Sequence, residues 1–206
     1  MDELSTRFVA DCSGLDFINS GDPSKPGQTD WMDSGEKFLT WLEHAQLVPS
    51  DVLQRMRSQC GLSTVDEVAM KARAMREWLR DLLQQHRPPA SSSVELSELR
   101  RLNEILCGDE VYYRIVAPKE EEGSYSLQPV RRWLTPQTLL YPIGEAIAKL
   151  ICQVEFSKIR TCEGCDQVFV DRTRRQARRW CRMSTCGNRA KQAAHRSRRS
   201  PPVAKR

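Results

Sequence analysis

The clearest hydrophobic periodicity runs through "TVDEVAMKARAMREWLRDLLQQHR", where Val65, Val68, Ala72, Met75, Leu79, Leu82 and Leu83 recur at three- and four-residue spacing. That spacing gathers them into one stripe of an amphipathic helix, and Thr64 followed by Glu67 is a capping-box pattern for its start. The helix is predicted to end at "PPASSS". Before it, "DSGEKFLTWLEHAQLV" places Phe38, Leu39, Leu42 and Leu47 near helical spacing, with Asp33 as cap and Glu36 three residues later. "PSDVLQRMRSQCG" predicts another helix stopped by Gly61. After the long helix, Ser92 and Glu95 suit the start of one carrying Leu96, Leu99, Leu102 and Leu106 before Gly108.

The texture then changes. "EVYYRIVA" and "YSLQPV" are rich in β-branched and aromatic residues and flank the turn sequence "PKEEEGS", which predicts a β-hairpin with Pro129 near an edge. From Leu139 to Val154 the apolar positions return to a helical period, with Pro142 in the first turn or at a kink. At residues 13–20, "SGLDFINS" is a short apolar run before the Gly- and Pro-containing "GDPSKPG", and predicts a brief strand or turn followed by a loop. Residues 1–156 therefore read as a mainly helical α+β domain.

A chain of 206 residues supports one sizeable core plus a small satellite unit. No apolar run approaches the roughly 18 to 20 residues of a membrane span, so a membrane role is not expected. The start "MDELSTRFVADCSG" lacks a basic flank and an apolar signal-length segment, so the expected compartment is the cytoplasm. In that reducing setting a tight group of cysteines points to metal rather than to disulfides.

Charge is segregated. From Arg160 onward there are fourteen Lys and Arg against three Asp and Glu, while the preceding part is net acidic, although the whole chain is only +5. A field that concentrated suits a polyanionic partner. Within it Cys162, Cys165, Cys181 and Cys186 are spaced C-x2-C, fifteen residues, C-x4-C. Two short pairs separated by a loop are what a tetrahedral ion with four thiolates requires, and one Zn²⁺ per chain is the expected cofactor. The spacing alone leaves an iron–sulfur cluster open. Gly164, inside the first pair, is expected to permit the tight turn of the knuckle. Phe169 and Trp180 are expected to cover the metal site rather than stack on bases.

Arginines beside the cysteines can offset the net negative charge of a tetrathiolate zinc centre, but they exceed that need. The candidate nucleic-acid contacts are Arg172, Arg174, Arg175, Arg178, Arg179, Arg182, Asn188, Arg189, Lys191, Arg196, Arg198 and Arg199. Asn188 and Arg189 either read base edges or brace the finger. In the N-terminal part, Asp16, Asn19, Arg76, Glu77 and Asn103 are candidates for a ligand pocket, or alternatively cross-link the domain. No carboxylate pairs with a nucleophile or an open metal site, so catalysis is not expected.

"CEGC", "FVDRTRRQARRWC" and "CGNR" closely resemble the CGNR zinc fingers, and upstream "LDFINS", "WLEHAQLV", "MREWLRDLL" and "LRRLNEIL" resemble the ABATE domain that precedes such fingers. One departure is "RRQA", where the family more often carries a small polar turn such as "RNGS". The resemblance implies an ABATE-like sensory or regulatory domain over residues 1–156, a four-cysteine zinc finger over 157–199 and a basic tail over 200–206. It also implies a bacterial, stress- or ligand-responsive transcription regulator with the finger on DNA. Its N-terminal domain would sense a small-molecule effector or form a homodimer. The alternatives are an RNA-binding or ribosome-associated zinc module, and a zinc knuckle for protein–protein contact.

Overall fold

The computed structural model describes residues 8–9, 12–21, 27, 29–87, 93–117 and 125–199. Helices α1 (Ser13–Ile18), α2 (Gly35–His44), α3 (Ser50–Gln59), α4 (Leu62–His86) and α5 (Arg100–Cys107) precede the antiparallel hairpin of β1 (Val111–Val116) and β2 (Ser126–Arg131). A 3₁₀ turn, Pro136–Leu140, leads into α6 (Tyr141–Gln153), which holds Pro142 in its first turn. A second antiparallel pair, β3 (Ile159–Thr161) and β4 (Val168–Val170), opens the C-terminal part, and α7 (Asn188–Arg199) closes it. The fold is α+β, mainly helical in its N-terminal region. No helix among the described residues is long and apolar enough to cross a membrane.

The long helix buries the expected stripe, Val65, Val68, Ala72, Leu79, Leu82 and Leu83, with Met75 partly covered. Around it pack α1, α2 and the 3₁₀ turn, and α6 lies along α1 and α5. The largest correction is α1, which forms a helix where the sequence predicted a strand or turn. Residues Gly14 to Ile18 are all buried, so no polar face exists to reveal a helical period. Gly14 is needed there: a Cβ would lie 2.9 Å from both the Ala146 carbonyl oxygen and the Leu150 Cβ on α6.

Helix starts also differ from expectation. Ser34, not Asp33, caps α2 by accepting from the Lys37 amide, and Asp66 from α4 accepts from the Gly35 amide at 2.6 Å. Asp33 instead pairs with Lys37 and Arg73. Helix α4 begins at Leu62 behind Gly61 with no side-chain cap, so Thr64 lies inside the helix rather than at the head of a capping box. Leu47 follows the end of α2, while Trp41 is fully buried in it. Helix α5 starts only at Arg100: residues 96–99 form turns and Leu96 is exposed. Ser92, most of "PPASSS" and "GDPSKPG", the hairpin turn "PKEEEGS" and the tail 200–206 lie outside the described residues.

The core continues past residue 156. Ile159 and Val170 are buried in the same cluster as Phe17, Leu79 and Leu150. Arg87 at the end of α4 donates to the Ile159 carbonyl at 2.7 Å. Asn19 clamps β4 with both ends of its amide, donating to the Val168 carbonyl and accepting from the Val168 amide, each at 2.9 Å.

A buried charge fixes the other side of α1. Arg76 is fully buried and donates to both carboxylate oxygens of Asp30 at 2.8 Å, to Ser20 Oγ at 3.0 Å and to Glu77 at 3.1 Å. Arg80, paired with Glu77, donates to the carbonyls of Ile18 and Gly21. Burial works to raise the Asp30 pKa, but the Arg76 hydrogen bonds, the Met32 amide and the charges of Arg76 and Arg73 outweigh it and hold the carboxyl below its ordinary range. Because the folded pKa is depressed, this pair stabilises the fold above the ordinary carboxylate range. That contribution is lost as pH falls through the lowered value. Asp30→Ala is expected to cost about 3–5 kcal/mol, since it strands a buried guanidinium. Chemical denaturation at neutral pH measures that loss, and the variant should lose less additional stability on acidification than the parent chain.

Candidate metal centre

The first cysteine pair hangs from β3 in a tight knuckle. The Cys162 amide donates to the Gln167 carbonyl at 2.9 Å, the Asp166 amide donates to the Cys162 carbonyl at 2.9 Å, and the Gly164 amide points to the Cys162 sulfur at 3.4 Å. The left-handed residue in this turn is Asp166, at φ 61°. Gly164 serves differently from its expected role: a Cβ there would sit 3.1 Å from the Cys186 Cβ, so its small size lets the two halves of the site meet. The Glu163 amide donates to the Arg179 carbonyl and draws the segment leading to Cys181 alongside the knuckle. Cys186 lies in the wide turn Met183–Gly187, which runs directly into α7.

The ligand atoms of Cys162, Cys165, Cys181 and Cys186 all lie within 4.8 Å of one another. Cys165 Sγ is 3.6 Å from Cys181 Sγ, which is 3.8 Å from Cys186 Sγ. A tetrahedral ion with Zn–S bonds of about 2.3 Å requires sulfur–sulfur edges of about 3.8 Å. The donor set therefore fits zinc in both chemistry and size. Hydrogen bonding from the Cys181 thiol, against the opposing effect of burial, lowers Cys165 to about 5. The same contact raises Cys181 far above the ordinary thiol range, helped by burial, and burial raises Cys186. So close a set of sulfurs cannot become four thiolates together unless a cation compensates them. Phe169 is buried and Trp180 partly buried against the sulfurs, as the covering role predicts.

The arginines divide by environment. Arg178 lies over the Phe169 ring at 4.8 Å and donates to the Cys181 carbonyl at 2.5 Å. Arg179 lies over Trp180 at 5.0 Å and pairs with Glu163. Arg182 donates to the Phe8 carbonyl. These three side chains are engaged within the protein. Arg172, Arg174, Arg175, Arg189, Lys191 and Arg196 are exposed, and Arg198 and Arg199 fall in the last turn of α7. Asn188 is exposed but donates to the Ser184 carbonyl at 3.2 Å, which braces the start of α7. His195 is exposed on α7, outside the group of four sulfurs.

Asp171 is a site residue that sequence inspection passed over. It is buried, accepts from the Thr173 amide at 2.9 Å, the Thr173 hydroxyl at 2.6 Å and the Arg178 amide at 2.8 Å, and so folds the loop that carries Arg172, Arg174 and Arg175. Burial acts to raise its pKa, but these three donors outweigh it and keep the carboxyl low. Its local signal was the Asp-x-Thr pattern of an Asx turn. In the same loop Gln176 is left-handed at φ 45°, within the "RRQA" stretch that departs from the resemblance.

Of the pocket candidates, Arg76, bonded to its neighbour Glu77, holds Asp30 and Ser20, Asp16 accepts from the Val9 amide at 3.0 Å, and Asn19 holds Val168. These are cross-links between segments. Asn103 is exposed on α5, and none of those bonds reaches it. Two cavities of about 340 Å³ touch both regions: one is lined by Cys12, Arg131, Glu145, Lys149 and the finger's Arg172, among others, and the other by Ile18, Arg80, Leu83, Gln84, Arg87 and Val168.

Purified protein is expected to contain one zinc per chain by atomic emission, and Cys165→Ser should reduce this to near zero while far-UV circular dichroism retains the helices of the main core. Acidification should release the ion, because protons compete for all four sulfurs. Iron, or no metal in a freshly reduced preparation, would contradict the assignment.

Comparison with known families agrees with the geometry. Residues 158–199 match the family model described as "CGNR zinc finger", and residues 13–154 match ABATE, described as "Putative stress-induced transcription regulator". No curated protein matches the chain. The ABATE match covers more than half the chain and the finger follows it in order. The chain belongs to the ABATE family and carries at its C-terminal end a CGNR zinc finger whose four cysteines, Cys162, Cys165, Cys181 and Cys186, bind one zinc ion.

Proposed function

We propose that the chain is a zinc-dependent, DNA-binding transcription regulator in which α7 and the Asp171 loop contact duplex DNA and the N-terminal domain governs that contact. The observation that carries this reading is α7 itself. It has five basic residues and no acidic one, its described side chains are mostly exposed, and its principal packing is on the turn that holds Cys186. A basic helix exposed in this way has the dimensions to enter a major groove, and its arginines match phosphate oxygens. The second basic group, Arg172, Arg174 and Arg175, stands on a loop pinned by Asp171.

Duplex DNA is favoured over single-stranded RNA because the finger offers no open aromatic platform. Phe169 is buried under Arg178, and Trp180 is covered by Arg179. Readers of unpaired bases depend on such platforms. The N-terminal domain is suited to regulate the finger because the Asn19–Val168 clamp and the Arg182–Phe8 bond join the two. A change in the packing of α1 would reach β4 and the metal centre through them.

The test is a titration of duplex DNA and single-stranded RNA at several salt concentrations. With about six phosphate contacts, the logarithm of duplex affinity should fall against that of salt with a slope near −5. Arg174→Ala with Arg175→Ala should flatten the slope by about two units without loss of zinc. Arg178→Ala should instead disturb the finger and lower metal retention. Binding to duplex no stronger than that of a scrambled basic peptide would overturn the reading.

A further inference from the structure

We propose that the apolar face of the β1–β2 hairpin is a homodimer interface, packed against the same face of a second copy. In an antiparallel pair, residues directly opposite each other share a face, and alternate residues along a strand line it. The register pairs Val111 with Arg131, Tyr113 with Pro129 and Ile115 with Leu127. One face of the hairpin is thus Val111, Tyr113, Ile115, Leu127 and Pro129, with Arg131 at its base. The opposite face carries Tyr112, Arg114, Val116, Ser126, Gln128 and Val130, and so holds the hairpin's polar side chains other than Arg131. The hairpin is amphipathic, yet its apolar face is open: Val111 is 47%, Tyr113 68%, Ile115 69% and Leu127 65% exposed. Tyr125, just before β2, is 77% exposed.

Three features favour a second copy as the occupant. The first is area. At these exposures the five large side chains offer on the order of 600 Å² per copy, at the upper end for a monomer's largest patch and close to the roughly 800 Å² each partner brings to a stable interface. The second is charge. A two-fold contact sets residues near its axis beside their own counterparts, so an unpaired charge in the middle would repel itself. This face has none, because Arg131 is neutralised within its own chain by Asp109 and Glu145. The third is the mode of contact. Pro129 deprives β2 of one amide, which disfavours an added strand on that edge, and the exposed apolar side chains stand on the face of the sheet, where face-to-face packing would cover them. A lone two-stranded hairpin is marginal in water, and covering its apolar side supplies the support it lacks.

Sedimentation velocity of the full-length, zinc-loaded protein tests this. A dimer with a dissociation constant on the order of 1–10 μM is expected for an interface of this size. Tyr113→Glu with Leu127→Glu, which are not directly opposite in the hairpin, should weaken it at least about 100-fold, since both copies then carry like charges at the contact. Both positions are exposed in the single chain, so circular dichroism and zinc content should not change. Gln128→Glu, on the opposite face, should leave the dissociation constant unaltered. A wild-type chain that stays monomeric at about 100 μM overturns the proposal. So does a dimer that survives the double substitution, or one that Gln128→Glu weakens equally.

Discussion

Mutual repulsion among four thiolates crowded within 4.8 Å is the constraint on which the C-terminal half of this protein depends. Only a cation at their centre lets all four shed their protons, so metal binding is coupled to closing the cysteine knuckle. The rest of the finger follows from bringing those sulfurs together. Gly164 leaves space for Cys186, Asp166 takes the left-handed turn, and Phe169 and Trp180 cover the centre. Because Cys186 sits in the turn that launches α7, the metal also determines where the basic helix begins.

The finger is not an appendage on a flexible linker. Its first strand pair is buried in the N-terminal core through Ile159 and Val170, and Asn19 bonds both backbone groups of Val168 from 149 residues away. On the other side, Phe8 stacks with Trp41 in the core, Val9 is buried with the cysteine cluster, and Arg182 holds the Phe8 carbonyl. The N-terminal segment is therefore shared between the two regions. This mutual packing gives the N-terminal region a physical route to the basic face of the finger.

How far the sequence revealed this depended on how local each determinant is. Helices α2 to α4 and α6 were legible because each keeps one polar face, as in the Val65, Val68, Ala72 and Leu79 stripe. Helix α1 was not, because burial on every side erased its period. Helix starts were misplaced where the cap comes from elsewhere, as Asp66 does for α2. The metal ligands could be read directly, since pairs separated by two and four residues must already turn together. The division of the arginines could not, because Arg178, Arg179 and Arg182 are distinguished from their neighbours only by folded partners: a ring, a carboxylate and a distant carbonyl.

The proposal that zinc organises a DNA-binding surface is tested most directly by the duplex affinity of one preparation before chelation, after it, and after zinc is restored. The account predicts that binding is lost with the ion and recovered with it, because α7 and the Asp171 loop are positioned by the metal centre. Affinity unchanged by removal of zinc, with the loss of metal verified on the same sample, would contradict it.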